Sequence, residues 1–288
     1  MSAGYDYVAV GHVTRDVIEG HPGAAVSQPG GGAFYSALQA ARLGLRTLIV
    51  TQGVPSEIDE LLAPYRHELE VQVIPAKRTT TLSTRGSGES RSQRVLAWAG
   101  PIVEPIVALR TAILHIAPVA REGRLDWSAG ARFVGLTPQG LIRRWRPGGE
   151  MSRVALERSQ LPARYDAAVF NERERAFCAP VLAAARDEDG PIVAVTAGPE
   201  PATVYLPGGA IARTAALASE RLTQPRDDLG AGDVFAAAFF IALAEGRAPL
   251  QAAGFADAAA ALRIAGIGPH AIGRRADVES LAKDALAG

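Results

Sequence analysis

Asp227-Asp228-Leu229-Gly230-Ala231-Gly232-Asp233-Val234-Phe235-Ala236-Ala237-Ala238-Phe239-Phe240 is the stretch on which the reading of the fold turns. Three small residues, Gly230, Ala231 and Gly232, lead into a run that is apolar on every side, which predicts a buried helix over about 232–246. Without bulky side chains in the turn, backbone N–H groups can approach an anion closely, and the helix adds the positive end of its dipole. Asp233 falls in the first turn, beside any anion held there. A carboxylate opposes phosphate binding on charge alone, so its use there is to accept the proton of an attacking hydroxyl. Ordinary helix capping, which also favours Gly and Asp, is the competing explanation.

Outward from this segment the chain has the grammar of a parallel α/β protein. Tyr7-Val8-Ala9-Val10-Gly11 reads as a buried strand, Gly30-Gly31-Gly32 as a turn, Ala33 to Leu43 as a helix stopped at Gly44, and Arg46 to Thr51 as the next strand. Further buried strands are predicted at Ala112–Ala117, Phe133–Leu136, Ala167–Phe170 and Ile192–Val195. Arg173 to Arg186 is helical in composition apart from Pro180, and helices are predicted near 249–265 and 275–287. The stretch 71–100 differs: Val71–Ile74, Thr79–Thr84 and Arg94–Trp98 are short and β-prone, with a polar turn at 86–90. It reads as a small separate sheet.

The 288 residues carry 30 basic and 30 acidic side chains, a balance that argues against nucleic acid as a partner. Lys77 and Lys283 are the only lysines. Val234–Ala244, the longest strongly apolar run, falls short of the ~20 residues of a membrane span, so no membrane partner is expected. A single cysteine, Cys178, and a start without a basic, apolar leader fit a cytoplasmic protein. No P-loop pattern is present, and the five histidines show no metal-ligand spacing with Cys178. His115, in an apolar strand, reads as a satisfied core residue.

The segment 227–233 resembles the Asp-Thr-x-Gly-Ala-Gly-Asp signature of ribokinase-like (PfkB) carbohydrate kinases, and Gly30-Gly31 with Ala41-Arg42-Leu43-Gly44 resembles their first signature. The resemblance implies a single domain over 1–288: a three-layer α/β/α fold with a central, mainly parallel sheet and a small β lid near 14–28 and 71–100. It implies Asp233 as catalytic base, with Gly230, Ala231 and Gly232 as the anion hole. Asp16, Gly31 and Gly32 would meet the acceptor, Asn171 and Glu174 would organise Mg²⁺, and Thr196 and Gly198 would line ATP. The i, i+3 spacing of Asn171 and Glu174 would place both on one helix face. The loop Gly266–Ala271 would lie beside the nucleotide and a K⁺ site, and the lid could pair two copies into a homodimer.

Two features depart from the pattern. Tyr35 stands where a sugar-contacting Asn is usual, offering a hydroxyl and an aromatic face to substrate, and Leu229 is read as standing where the second signature has threonine. Thr137-Pro138-Gln139-Gly140-Leu141-Ile142-Arg143 resembles the Gln-Gly-x-x-Arg stretch of inositol-kinase-like members, with Gln139 a substrate contact. The acceptor class this implies is a sugar or cyclic polyol. A nucleoside kinase, with Tyr35 stacked on a base, and a non-catalytic ligand-binding member of the fold are the alternatives.

Overall fold

The computed structural model describes residues 4–19, 26–86, 90–103, 110–123, 130–214 and 226–287. In chain order the strands are β1 (Tyr5–Val10), β2 (Thr14–Glu19), β3 (Val26–Gly30), β4 (Thr47–Gly53), β5 (Glu70–Pro75), β6 (Thr81–Arg85), β7 (Ser92–Ala97) and β8 (Thr111–Ile116). They continue with β9 (Ala131–Leu136), β10 (Arg143–Arg144), β11 (Ser152–Arg153), β12 (Ala167–Asn171), β13 (Ile192–Ala197), β14 (Glu200–Tyr205) and β15 (Ile211–Arg213). The α-helices are α1 (Gly32–Arg42), α2 (Pro55–Leu62), α3 (Ala179–Ala184), α4 (Ala231–Ala244), α5 (Pro249–Ile264) and α6 (Arg275–Ala287).

Nine strands form the central sheet in the order β15-β14-β13-β12-β9-β8-β1-β4-β5. From β5 to β13 every pairing is parallel, and β14 and β15 extend the edge antiparallel. Successive residues of β1 serve opposite faces: Tyr7 and Ala9 enter the core that holds α1, α4 and α5, while Val8 and Val10 enter the core that holds α3. A strand buried on both faces must be apolar at every position, and this is why the run looked strand-like without alternation. The layers are helix, sheet, helix, as expected.

The chain runs outward from β1 through β4 to β5, then returns to β8 on the other side of β1. That reversal opens a crevice at the carboxyl ends of β1 and β8, the place where open α/β sheets bind ligands. Gly11 after β1 lies so near the backbone after β8 that a Cβ would fall 2.2 Å from the Ala117 carbonyl oxygen.

A second sheet, β3-β2-β6-β7, covers this crevice. The lid therefore draws on 14–30 and 81–97, and its expected start at 71 is corrected. Val71 to Ile74 belongs to β5, which pairs parallel with β4 at the edge of the main sheet. The short helix α2 provides the crossover, and a half-exposed edge strand has the same period-2 pattern as a lid strand. Part of the turn at 86–90 and residues 20–25 of the first lid segment lie outside the described residues. Among those described, no helix is long and apolar enough to cross a membrane.

Helix α4 is the buried axis of the domain, with every residue from Val234 to Ala242 buried. It approaches the sheet closely because β9 carries Gly135, where a Cβ would fall 2.2 Å from the Phe240 ring. Gly135→Ala is expected to destabilise the protein by about 1–3 kcal/mol through overpacking, measured by urea unfolding. Unchanged stability would mean the helix can lift away from the strand.

Candidate active site

At the crevice, the two carboxylates singled out from sequence come together around the Gly30–Gly32 turn. A Cβ on Gly30 would strike the Asp16 carboxylate at 2.2 Å, and one on Gly32 would stand 3.0 Å from Asp233 Oδ1. Gly31 has φ 92°, and a Cβ there would fall 2.2 Å from the His12 carbonyl oxygen, so only glycine fits. Asp16 is contributed by lid strand β2 and Asp233 by the first turn of α4, so lid and main domain each bring one acid.

Both acids are held above the ordinary carboxylate range. Burial pushes Asp233 up to about 7; the Arg143 guanidinium opposes this, while Glu174 and Asp16 add to it. Asp16 is pushed up to about 6 by burial, against the Thr14 hydroxyl and the charges of Arg143 and Arg91. The Thr14 hydroxyl donates to Asp16 Oδ1 at 2.7 Å. A carboxylate poised near neutrality is matched to taking a proton from an alcohol, and Asp233 remains partly accessible in the crevice.

The turn into α4 forms as its glycines require. Gly230 is the N-cap of α4 with φ 78°, in the left-handed region, and the following backbone opens the helix toward the crevice. Its turn is tied to the lid, because Arg91, just before β7, pairs with Asp228. Counted back from Asp233, the signature's threonine falls on Asp228, so its expected place at Leu229 is corrected.

Residues 160–272 match the family described as pfkB family carbohydrate kinase. That segment, which holds Asn171, Thr196 and Asp233, is similar to this family of carbohydrate kinases. The fold is shared across nearly the whole chain with solved kinase structures. A pyrophosphate-dependent kinase of the ribokinase family, complexed with a pyrophosphate analog and myo-inositol, superposes with TM-score 0.72 at 21% identity, covering 95% of this chain and 99% of that one. Arabidopsis thaliana ribokinase, complexed with ribose and ATP, gives 0.73 at 20%, covering 98% and 99%. Adenosine kinase from Sinorhizobium meliloti gives 0.71 at 20%, covering 98% and 100%. No curated protein sequence matches the chain. Kinases of this family are phosphotransferases with an alcohol group as acceptor.

Asn171 and Glu174 are brought together, but not on a helix. Asn171 ends β12 and Glu174 sits in the turn that follows, so the predicted helix face is corrected. The two clasp each other: Asn171 N–H donates to Glu174 Oε2 and Glu174 N–H donates to Asn171 Oδ1, both at 3.1 Å. Asn171 lies in register with Thr196 on β13, and Gly198 follows at the turn to β14 with φ 67°. Gln139 is half-buried in the short turn after β9, at the same carboxyl-terminal edge.

Tyr35 is the clear departure from expectation. It is 1% exposed, and its ring packs so closely on the anion-hole turn that a Cβ on Gly230 would fall 2.4 Å from it. Tyr35 braces the turn from below and offers no face to substrate or base.

Glu122 escaped the sequence reading altogether, and the part played by Arg143 was legible only in outline. Glu122 is fully buried and accepts N–H bonds from His12 at 2.9 Å, Val119 at 2.6 Å and Ala120 at 2.5 Å, fixing the loops after β1 and β8. Arg143, weighed only as part of the Gln-Gly stretch, donates to the Val119 carbonyl at 2.7 Å and Gln93 Oε1 at 3.0 Å. Burial works against its charge, and Glu174, Asp233, Glu122 and Asp16 work for it. No local signal marked Glu122, whose three donors come from loops distant in sequence or shaped by folding. His115 is a core residue as read: it meets the Tyr7 hydroxyl at 2.6 Å and Thr137 Oγ1 at 3.1 Å, and burial pushes its imidazole down to about 3.

A raised acid costs stability once it must ionise. With Asp233 at about 7 in the fold against 3.8 as its ordinary value, the folded state binds the extra proton between these limits. Its contribution to stability is therefore full below the lower value and is lost as pH rises through about 7. Asp233→Asn should melt higher than the wild type at pH above 7, with the gap closing toward pH 4 in a thermal melting series. A gap independent of pH would show that Asp233 ionises normally.

Proposed function

We propose that this kinase transfers the γ-phosphoryl group of ATP to a hydroxyl of a sugar or cyclic polyol, an inositol-like ring being the favoured acceptor. The observation that carries this reading is Asp233: a carboxylate raised to about 7, in the first turn of a buried helix, adjoining the glycine turn that also borders Asp16. Asp16 binds acceptor hydroxyls beneath the lid, and Asp233 removes the proton from the attacking one. The amides of Gly230, Ala231 and Gly232 stabilise the charge that spreads over the transferring phosphoryl oxygens. Thr196 and Gly198 line the donor at the carboxyl ends of the strands. The lid, joined to the anion-hole loop through Arg91 and Asp228, keeps water from competing with the acceptor.

The residues present suit Mg²⁺. Among the described residues no cluster of three or more His, Cys, Asp or Glu side chains could hold a metal, so no all-protein cage exists. The clasped pair Asn171 and Glu174 supplies hard oxygen atoms beside the crevice, which suits an ion that keeps most of its waters and relies on phosphate oxygens. Bound there, Mg²⁺ would offset charge on the donor phosphates.

Support for a cyclic polyol comes from Gln139 and Arg143 at the crevice, and from the similarity to a kinase solved with myo-inositol. The burial of Tyr35 weighs against a nucleoside acceptor stacked on that ring. The paired acids weigh against a member that only binds ligand.

The test is turnover on a panel of inositols, sugars and nucleosides, with Mg·ATP and Mg·pyrophosphate as donors, beside Asp233→Asn. Turnover with ATP on a cyclic polyol is expected, falling by about three orders of magnitude in the variant. Turnover on nucleosides alone would overturn the acceptor, turnover with pyrophosphate alone would overturn the donor, and full turnover in Asp233→Asn would overturn the base.

A further inference from the structure

Arg263 is the largest fully buried side chain among the described residues, at 0% exposure, and none of the chemistry above uses it. It lies near the end of α5, and its guanidinium points beneath the loop that leads into the anion hole. One terminal nitrogen donates to Asp227 Oδ2 at 2.7 Å and to the Leu229 carbonyl at 2.6 Å. The other donates to the Asp227 carbonyl at 3.2 Å and, at 3.5 Å, to the Gly266 carbonyl. The Arg263 guanidinium carbon also lies 5.5 Å from the centroid of the Tyr35 ring, the same ring that supports Gly230.

The surrounding bonds close the arrangement. Asp227 Oδ2 accepts the Gly268 N–H at 2.9 Å, Asp227 Oδ1 accepts the Leu229 N–H at 3.0 Å, and Arg226 N–H donates to the Ile264 carbonyl at 2.8 Å. Three segments therefore converge on one buried cation: 226–229, the end of α5, and the loop 266–268. Burial favours the neutral form of Asp227, yet the bonds from Arg263 and Leu229 bring it below the ordinary carboxylate range, so this is a true ion pair. A buried pair of this kind is a poor source of net stability but a strong constraint on geometry, because removing one partner leaves the other charge uncompensated.

Three carbonyls and one carboxylate oxygen around a central positive charge are the donor set that a hard alkali cation would take. The loop 266–271 was expected to stand beside a K⁺ site, and these residues do not fit one: the place between the loops is filled by the chain's own guanidinium. We infer that Arg263 is a built-in cation, a positioning residue that holds the loop 227–230 so that the Gly230–Gly232 amides face the phosphoryl group, and that the protein works without K⁺. The part concerning turnover rests on the kinase reading above; the part concerning the cation nest does not.

The experiment compares wild type, Arg263→Ala and Arg263→Lys in potassium, sodium and tetramethylammonium chloride at equal ionic strength, reading melting temperature and turnover. Wild type should show the same melting temperature and the same kcat in all three salts. Arg263→Ala should lose kcat by about a hundredfold, as expected for disrupting an oxyanion hole, and melt lower. Potassium or guanidinium ions in the low-millimolar range should restore part of both in a saturable way, because they refill the vacated oxygens. Arg263→Lys keeps the charge without the reach to all four oxygens, so it should fold and show a kcat loss of about tenfold with little change in acceptor KM.

A wild type that requires K⁺, an Arg263→Ala protein with unchanged kcat, or a folded variant that no cation stabilises or rescues would each overturn the inference. If Arg263→Ala does not fold, the salt comparison of the wild type and the Arg263→Lys arm decide it. If no donor and acceptor give turnover at all, the kinase reading fails, and the melting temperatures still decide whether the nest takes a cation.

Discussion

Burial of α4 is the constraint from which the rest of the site follows. The helix has no polar face from Val234 to Ala242, so it must run through the middle of the core against the sheet, with α1 and α5 packed beside it. Its N-terminus then emerges where the strand order reverses, and Asp233 is carried to the bottom of the crevice. A surface helix would expose its first-turn carboxylate and leave it strongly acidic. Here the same carboxylate is desolvated and raised to about 7, the range that the proposed role as a base requires.

A raised acid and an anion-binding turn are at odds unless neighbouring charge holds them in balance. Arg143 supplies that balance from the substrate side: it is fixed by the Val119 carbonyl and Gln93, and it meets Asp233, Asp16, Glu122 and Glu174 electrostatically. Arg263 acts by position instead, pinning the loop that leads to Gly230 to the loop after α5. Glu122 completes the frame by gathering three N–H groups from the ends of β1 and β8. The site is thus a layered set of alternating charges whose positions are set by backbone bonds, the arrangement that electrostatic preorganisation requires.

Much of this was legible in the sequence because its carriers are local. Gly230–Asp233, Gly30–Gly32, Gly44 and the six apolar runs that became β1, β4, β8, β9, β12 and β13 each express a demand of their own neighbourhood: a positive φ, a close approach, or burial on both faces. What stayed hidden depends on partners distant along the chain. β5 and a lid strand share one period, and only the crossover through α2 separates them. β14 and β15 extend the sheet from its edge and were not foreseen. Tyr35 looked available for substrate because a helix position does not tell which residue will press on it; Gly230 and Arg263 do. Arg263 and Glu122 carry no motif at all, since their meaning comes from the oxygens and N–H groups folded around them.

The central claim is that Asp233 acts as the base and that its basicity is set by burial against the Arg143 charge. The most direct measurement is the pH dependence of kcat for the wild type beside Arg143→Gln. The wild type should show an acid limb near 7, and loss of the guanidinium, which lowers Asp233, should move that limb to higher pH. A limb in the ordinary carboxylate range near 4, or one that stays in place when Arg143 is removed, would contradict the account.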